Sequence, residues 1–162
     1  MVAKKTHRSS LSDEGLTLRR KENTGRLLAI CARGVQEQVI GRLRENGHPD
    51  LRVAHNAVLM HVSLTGTRQS DLALRAGVTR QAIAQLVDRL VELKYLRRQR
   101  DPTDGRAQLI SYTARGREVL EQGLAVVENV ESELRKLLGD QGFRQLNRSL
   151  QKIAHRHSDA SV

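Results

Sequence analysis

Aromatic residues are scarce in this sequence: it has no tryptophan, one phenylalanine (Phe143) and two tyrosines (Tyr95, Tyr112) among 162 residues. Proteins that hold single-stranded nucleic acid stack bases on aromatic rings, so so few rings argue against such a platform. A lone cysteine, Cys31, excludes an internal disulfide and any zinc cluster built from cysteines, and it fits a reducing compartment. Long apolar runs are also missing. No stretch approaches the ~20 apolar residues that a membrane span needs. The basic opening residues have no apolar core behind them, unlike a secretory signal, so residues 1–22 are expected to be a flexible basic arm and the chain to be cytoplasmic. What the sequence has in surplus is positive charge, with 28 basic against 18 acidic side chains and a formal charge of +10. That surplus favours a polyanionic partner, although charge alone does not separate DNA from RNA or an acidic membrane.

Apolar periodicity organises the chain. Leu28, Cys31, Val35, Val39 and Leu43 fall at helical spacing and predict a helix over 24–45. Asn23 or Thr24 caps it, and Gly47 followed by Pro49 ends it. A second helix is expected over about 53–64, broken by Gly66. Residues 70–76 read as a short helix with Leu72, Ala73 and Ala76 facing inward. Gly77 closes it, and Thr79 is placed to cap a helix over about 80–93, whose inner face is Ile83, Leu86, Val87 and Leu90. Two helices joined by a tight glycine turn make a helix-turn-helix.

A β-hairpin is expected next, with strands at 95–100 and 107–112 and a loop rich in Pro, Asp and Gly between them. Helix-turn-helix plus hairpin is a winged helix, so the expected class is mainly α with a small β wing. A helix over 113–138 and another over 140–155 complete the chain, and residues 158–162 read as a tail. Leu124, Val127 and Leu134 on the first of these, and Phe143, Leu146 and Leu150 on the second, form apolar stripes. With Leu28 and Val35 at the other end of the chain, they are expected to build a homodimer interface. The organisation expected is a dimerisation region over 23–47 and 113–157, enclosing a DNA-binding region over 51–112.

From Ser70 to Leu120 the sequence resembles the MarR (multiple antibiotic resistance regulator) family of winged-helix transcriptional regulators. Ser70, Asp71, Leu72 and Ala73, then Gly77, Val78 and Thr79, then residues 86–90 (Leu-Val-Asp-Arg-Leu), look like its helix-turn-helix. Residues 101–106 (Asp-Pro-Thr-Asp-Gly-Arg), Leu109 and residues 113–116 (Thr-Ala-Arg-Gly) resemble its wing and the start of the next helix. Lys94 departs from the pattern, standing where many relatives end the reading helix with glycine. The resemblance implies an obligate dimer, a palindromic operator, and repression relieved by a small-molecule effector or an oxidant.

On the expected reading helix, Arg80, Gln81, Ala84, Gln85 and Asp88 point outward. Arg80 has the reach for guanine O6/N7 and Gln81 or Gln85 for adenine N6/N7, while Ala84 leaves room or touches a thymine methyl. Thr79 and the first-turn amides can hold a phosphate. Lys94, Arg97, Arg98 and Arg100 line the base of the wing. At its tip, Arg106 resembles the family residue that enters the minor groove, with Asp104 holding it by a charge-assisted bond.

Other chemistry finds no residues to carry it. The six histidines have no zinc-binding spacing, so no metal and no cofactor is expected. Neither a nucleophilic triad nor a phosphate loop is recognisable, which leaves no enzyme. Cys31 is expected to pack as a small apolar residue. A redox-sensor role is the alternative, resting on the reactive cysteine that some branches of the family keep early in the same helix, paired there with tyrosines that this segment lacks. The competing function is a nucleoid-type architectural protein that binds duplex DNA without choosing sequence. The sequence does not locate an effector pocket.

Overall fold

The computed structural model describes residues 12–102, 104 and 107–159. The described residues form two compact units, divided after Val35. In the first unit, helix α1 (Asp13–Glu22) occupies part of the stretch expected as a loose arm. Its polar sequence, with acidic and basic side chains in balance, carries no apolar stripe, so periodicity gave no sign of it; the arm residues before Ser12 lie outside the described residues. Helix α2 (Thr24–Glu45) begins as expected. The Asn23 side-chain oxygen accepts from the Arg26 amide at 2.8 Å, satisfying a donor that a helix start leaves unpaired.

The rest of α2 belongs to the second unit, where Val39, Ile40 and Leu43 are buried. After a turn at Gly47 (φ 96°), a 3-10 turn (Val53–His55) leads into α3 (Asn56–Leu59). This is shorter than the helix expected to reach residue 64. Ser63 and Thr67 explain the early end. The Ser63 amide donates to the Thr67 hydroxyl (2.9 Å) and the Ser63 hydroxyl to the Gly66 carbonyl (2.6 Å). These local side-chain bonds compete with the helix and turn the chain into a strand.

That strand, β1 (Thr67–Arg68), makes the wing a three-stranded sheet where a two-stranded hairpin was expected. Strands β2 (Leu96–Arg100) and β3 (Gln108–Tyr112) pair antiparallel, with Leu96 opposite Tyr112 and Arg100 opposite Gln108. β3 lies in the middle, its other side taken by β1, with Arg68 opposite Leu109.

Between β1 and β2 stand α4 (Gln69–Ala76) and α5 (Arg80–Glu92). Gly77 joins them in the left-handed conformation (φ 64°), which a side chain would oppose. Leu72 and Ala73 meet Ile83, Val87 and Leu90 in one buried core with Leu51, Val58, Leu96 and Ile110. Leu86, expected on the same inner face, is half-buried. Past α5, Lys94 takes φ 62°, and the Tyr95 amide bonds back to the Leu90 carbonyl at 2.9 Å. The helix therefore ends with the left-handed turn that suits glycine, built here with lysine.

Helix α6 (Ala114–Asp159) is interrupted at Gly139 (φ 70°, ψ 163°), where the sequence reading divides two helices. Its start is welded to the end of α5. The Thr113 amide donates to the Tyr95 carbonyl (3.1 Å), the Thr113 hydroxyl to the Lys94 carbonyl (2.6 Å), and the Gly116 amide to the Thr113 hydroxyl (3.0 Å). A Cβ on Gly116 would sit 1.9 Å from the Tyr95 carbonyl oxygen, so the junction requires glycine. The buried Tyr95 hydroxyl meets His48 Nδ1 (3.1 Å) and accepts from Arg115 (3.2 Å), joining the turn after α2 to the same place.

Candidate nucleic-acid interface

Helix α5 presents two chemically distinct faces. Ile83, Val87 and Leu90 are buried, while Arg80, Gln81 and Gln85 are exposed and Ala84 is half-buried between them. Thr79 is the cap, extended at φ −66° and ψ 152°, and its hydroxyl accepts from the Ala82 amide at 3.2 Å. The polar side chains thus sit on the first two turns, at the positive end of the helix dipole. None of the described charges on this end is acidic until Asp88.

On the wing, Arg97 is exposed and its Nε donates to the Ser111 hydroxyl at 3.3 Å. Arg98, expected at the base of the wing, reaches back to the Asp88 carboxylate of α5 in a short ion pair. The pairing follows from β2 starting just past α5, which brings residues ten apart side by side. Asp104 stands with its carboxylate 3.6 Å from the Arg68 guanidinium. Arg106, the expected wing-tip residue, lies outside the described residues, and with it the expected contact to Asp104.

Two residues of this region went unrecognised in the sequence. Arg68 donates through Nε (2.9 Å) and Nη2 (2.6 Å) to a single oxygen of Asp101, whose side chain is 6% exposed. The bond to Asp101 raises the guanidinium pKa above its ordinary value, with the charges of Asp101 and Asp104 adding to it. Asp101 was visible as the first residue of the loop motif, but its partner is 33 positions away on a strand too short to announce itself.

A profile described as "MarR family" matches residues 50–107, which include the 3-10 turn, α3, β1, α4, α5 and β2. Among solved structures, MarR is 28% identical, covers 82% of this chain and 96% of its own, and superposes with a TM-score of 0.68. CouR from Rhodococcus jostii RHA1, solved bound to p-coumaroyl-CoA, is 29% identical over 83% of this chain and 93% of its own (TM-score 0.65). The transcriptional regulator BldR from Sulfolobus solfataricus is 26% identical over 90% and 99% (TM-score 0.62). The winged-helix region, residues 50–107, is of the MarR family. No curated protein matches the sequence. The match and these likenesses support a MarR-family DNA-binding regulator. No described helix is long and apolar enough to cross a membrane.

Outside the winged-helix region the apolar stripes read from the sequence fall unevenly. Leu28, Leu124 and Leu150 are exposed, and Val35, Val127, Leu134 and Leu146 are half-buried. Phe143, expected in the same shared stripe, is only 2% exposed and lies under the Arg135 guanidinium, 4.1 Å from the ring centroid. The break at Gly139 folds the two parts of α6 so that the ring packs within its own chain. Cys31, expected to be packed, is exposed on α2. Among the described residues no three His, Cys, Asp or Glu side chains gather as a metal site. His48 and His55 are buried instead, and His55 Nδ1 accepts from the Arg52 amide at 3.1 Å; His7 lies outside the described residues.

Proposed function

We propose that this chain is a homodimeric MarR-family repressor that reads a palindromic duplex operator with α5 and leaves it when a small-molecule effector binds. The observation that carries the reading is the exposure of Arg80, Gln81 and Gln85 together at the N-terminal end of α5, opposite a fully buried face. Arg80 pairs bidentately with guanine and Gln81 or Gln85 with adenine, and Ala84 sits against a thymine methyl. Thr79 and the amides of the first turn hold a phosphate and set the register. Arg97 and Arg106 extend the contact from the wing, while Arg98 acts chiefly through Asp88.

The dimer is proposed from residues 23–47 and 113–157, leaving 51–112 to bind DNA. Exposed Leu28, Leu124 and Leu150 favour burial by a second copy, as such side chains cost solvation when left in water. A two-fold dimer places its reading helices about 34 Å apart, one turn of duplex. A groove of about 750 Å³ between α2 and α6, lined by Gln38, Arg42, Asn129 and Glu133 among others, is the proposed effector site. The p-coumaroyl-CoA in CouR makes an aromatic acid or its thioester the first class to try. Release by an oxidant would instead act through Cys31.

Selection of bound sequences from a random duplex pool tests the reading. A palindrome with half-sites about 10 base pairs apart is expected. Recovery of no consensus would sink it and favour an architectural protein. Arg80→Ala and Gln81→Ala should each cost about 1–3 kcal/mol on the selected operator and little on random DNA.

A further inference from the structure

We propose that Arg68 is the positioning residue of the wing: it touches no DNA itself, but clamps the root of the wing loop to the helix-turn-helix. The inference rests on the wing contacting DNA, as proposed above. Arg68 occupies a pivotal place in the chain. It is the last residue of β1, in register with Leu109 of the central strand, and it is also the residue that caps α4. Asp101 follows β2 on the far side of that central strand. The ion pair therefore crosses the full width of the sheet, about 10 Å at ordinary strand spacing.

The carboxylate at the other end is almost fully buried. A buried charge without a countercharge is costly, so Asp101 draws the guanidinium in and holds it. Nε and Nη2 converge on Oδ2, which fixes the angle of approach as well as the distance. Asp101 also anchors the loop backbone. Its amide donates to the Ala107 carbonyl (3.0 Å), its carbonyl accepts from the Asp104 amide (3.3 Å), and the Ala107 amide donates to the Asp104 carbonyl (2.9 Å). Arg68 thus grips Asp101 and stands 3.6 Å from Asp104, the two residues on which the loop is hung. Moving Asp101 moves Asp104 and Ala107, and the start of α4 moves with Arg68.

The test turns on sign. Charge alone predicts that Asp101→Asn strengthens DNA binding, since it removes a negative group beside phosphates. Positioning predicts that it weakens binding, as Arg68→Ala does. Affinities of the full chain would be measured on the selected operator with A·T-rich and with G·C-rich flanks, beside thermal melts. Arg68→Ala and Asp101→Asn should both lose about tenfold on A·T-flanked DNA, as expected when a charged hydrogen bond is broken. On G·C-flanked DNA they should change little, so the flank preference collapses. The double variant Arg68→Met/Asp101→Asn removes both charges of the pair and should show the same collapse with a near wild-type melt. Arg68→Lys keeps the charge without the fork and should fall between.

Tighter binding by Asp101→Asn would overturn the proposal. So would an unchanged flank preference in the double variant, or a uniform loss on all DNAs with a shallower salt dependence for Arg68→Ala, which marks a direct phosphate contact. Gln81→Ala on the same DNAs separates the two readings. If it fails to lower operator discrimination, the function of α5 is wrong whatever Arg68 does.

Discussion

Replacing Gly116 by alanine should destabilise the protein by about 3 kcal/mol, whereas the same change seven residues later should stabilise it. At Gly116 the added Cβ would lie 1.9 Å from the Tyr95 carbonyl oxygen and 3.0 Å from Tyr112 Cδ1. An ordinary carbon–oxygen contact is about 3.3 Å or more, so the start of α6 must retreat from Tyr95 by more than an ångström. Overpacking of this kind costs about 1–3 kcal/mol. The retreat also strains the Thr113 bonds to the Lys94 and Tyr95 carbonyls, each worth about 1 kcal/mol. Alanine's helix preference offsets about 1 kcal/mol of that. At Gly123 the new methyl would meet Val39 Cγ1 at 3.8 Å, an ordinary contact, leaving only a gain of about 0.5–1 kcal/mol. Urea unfolding at one fixed protein concentration measures both. With a slope of about 1–3 kcal/mol per molar, the Gly116→Ala midpoint should fall by about 1 M or more. If Gly116→Ala unfolds within about 0.5 kcal/mol of wild type, or if both variants shift the same way, the close approach at Tyr95 is not what requires glycine.

Lys94→Gly should raise stability by about 0.5–1 kcal/mol, because the left-handed backbone at φ 62° disfavours a side chain; a melting temperature unchanged or lowered would refute it. Acid should destabilise the fold through His48, His55 and His61. Burial is the main cause that lowers each pKa below 6.5, with arginines adding to it at all three and Glu118 partly opposing it at His48. The folded state therefore favours neutral imidazoles: their stabilisation is complete above pH 6.5 and is lost as the pH falls below it. Urea midpoints between pH 7.5 and 5.5 should show this loss, and His48→Gln should make it smaller. Arg97→Ala should flatten the slope of log affinity against log salt by about one unit, and Arg98→Ala by clearly less because Asp88 already neutralises it. Equal slopes for the two variants would show that the ion pair opens on DNA.

Much of this architecture was legible because its elements carry their own periodicity. Helices α2, α4 and α5 announce themselves through Val39 and Leu43, Leu72 and Ala73, and Ile83 and Leu90. Gly77 and Gly139 mark turns that need a positive φ. The exposed group Arg80, Gln81 and Gln85 followed from the buried one. What escaped was structure made by contacts between distant residues. β1 is two residues long, too short for an alternating pattern, and exists because β3 offers Ile110 and Leu109 as partners. Without β1 in view, the Arg68 to Asp101 clamp was invisible. The early end of α3 reflects Ser63 and Thr67 bonding backbone groups, a competition that apolar spacing does not register. Phe143 looked like its neighbours in the stripe because a helical repeat does not say which partner covers it.

The wing sheet has two open edges, and its composition bears on how the protein behaves when concentrated. One edge, β1, is only two residues long and offers little to pair with. The other, β2, is five residues long, and Arg97, Arg98 and Arg100 make up most of it. Two such strands brought edge to edge would set like charges against each other, so the arginines guard the molecule against sheet-to-sheet aggregation. Substitutions made to dissect DNA binding alter this guard as well. Replacing these arginines with valine or isoleucine would leave an uncharged strand of high β-propensity at an exposed edge, whereas glutamine or glutamate would keep it polar. Polar replacements at these positions would let loss of binding be told apart from loss of protein to precipitation.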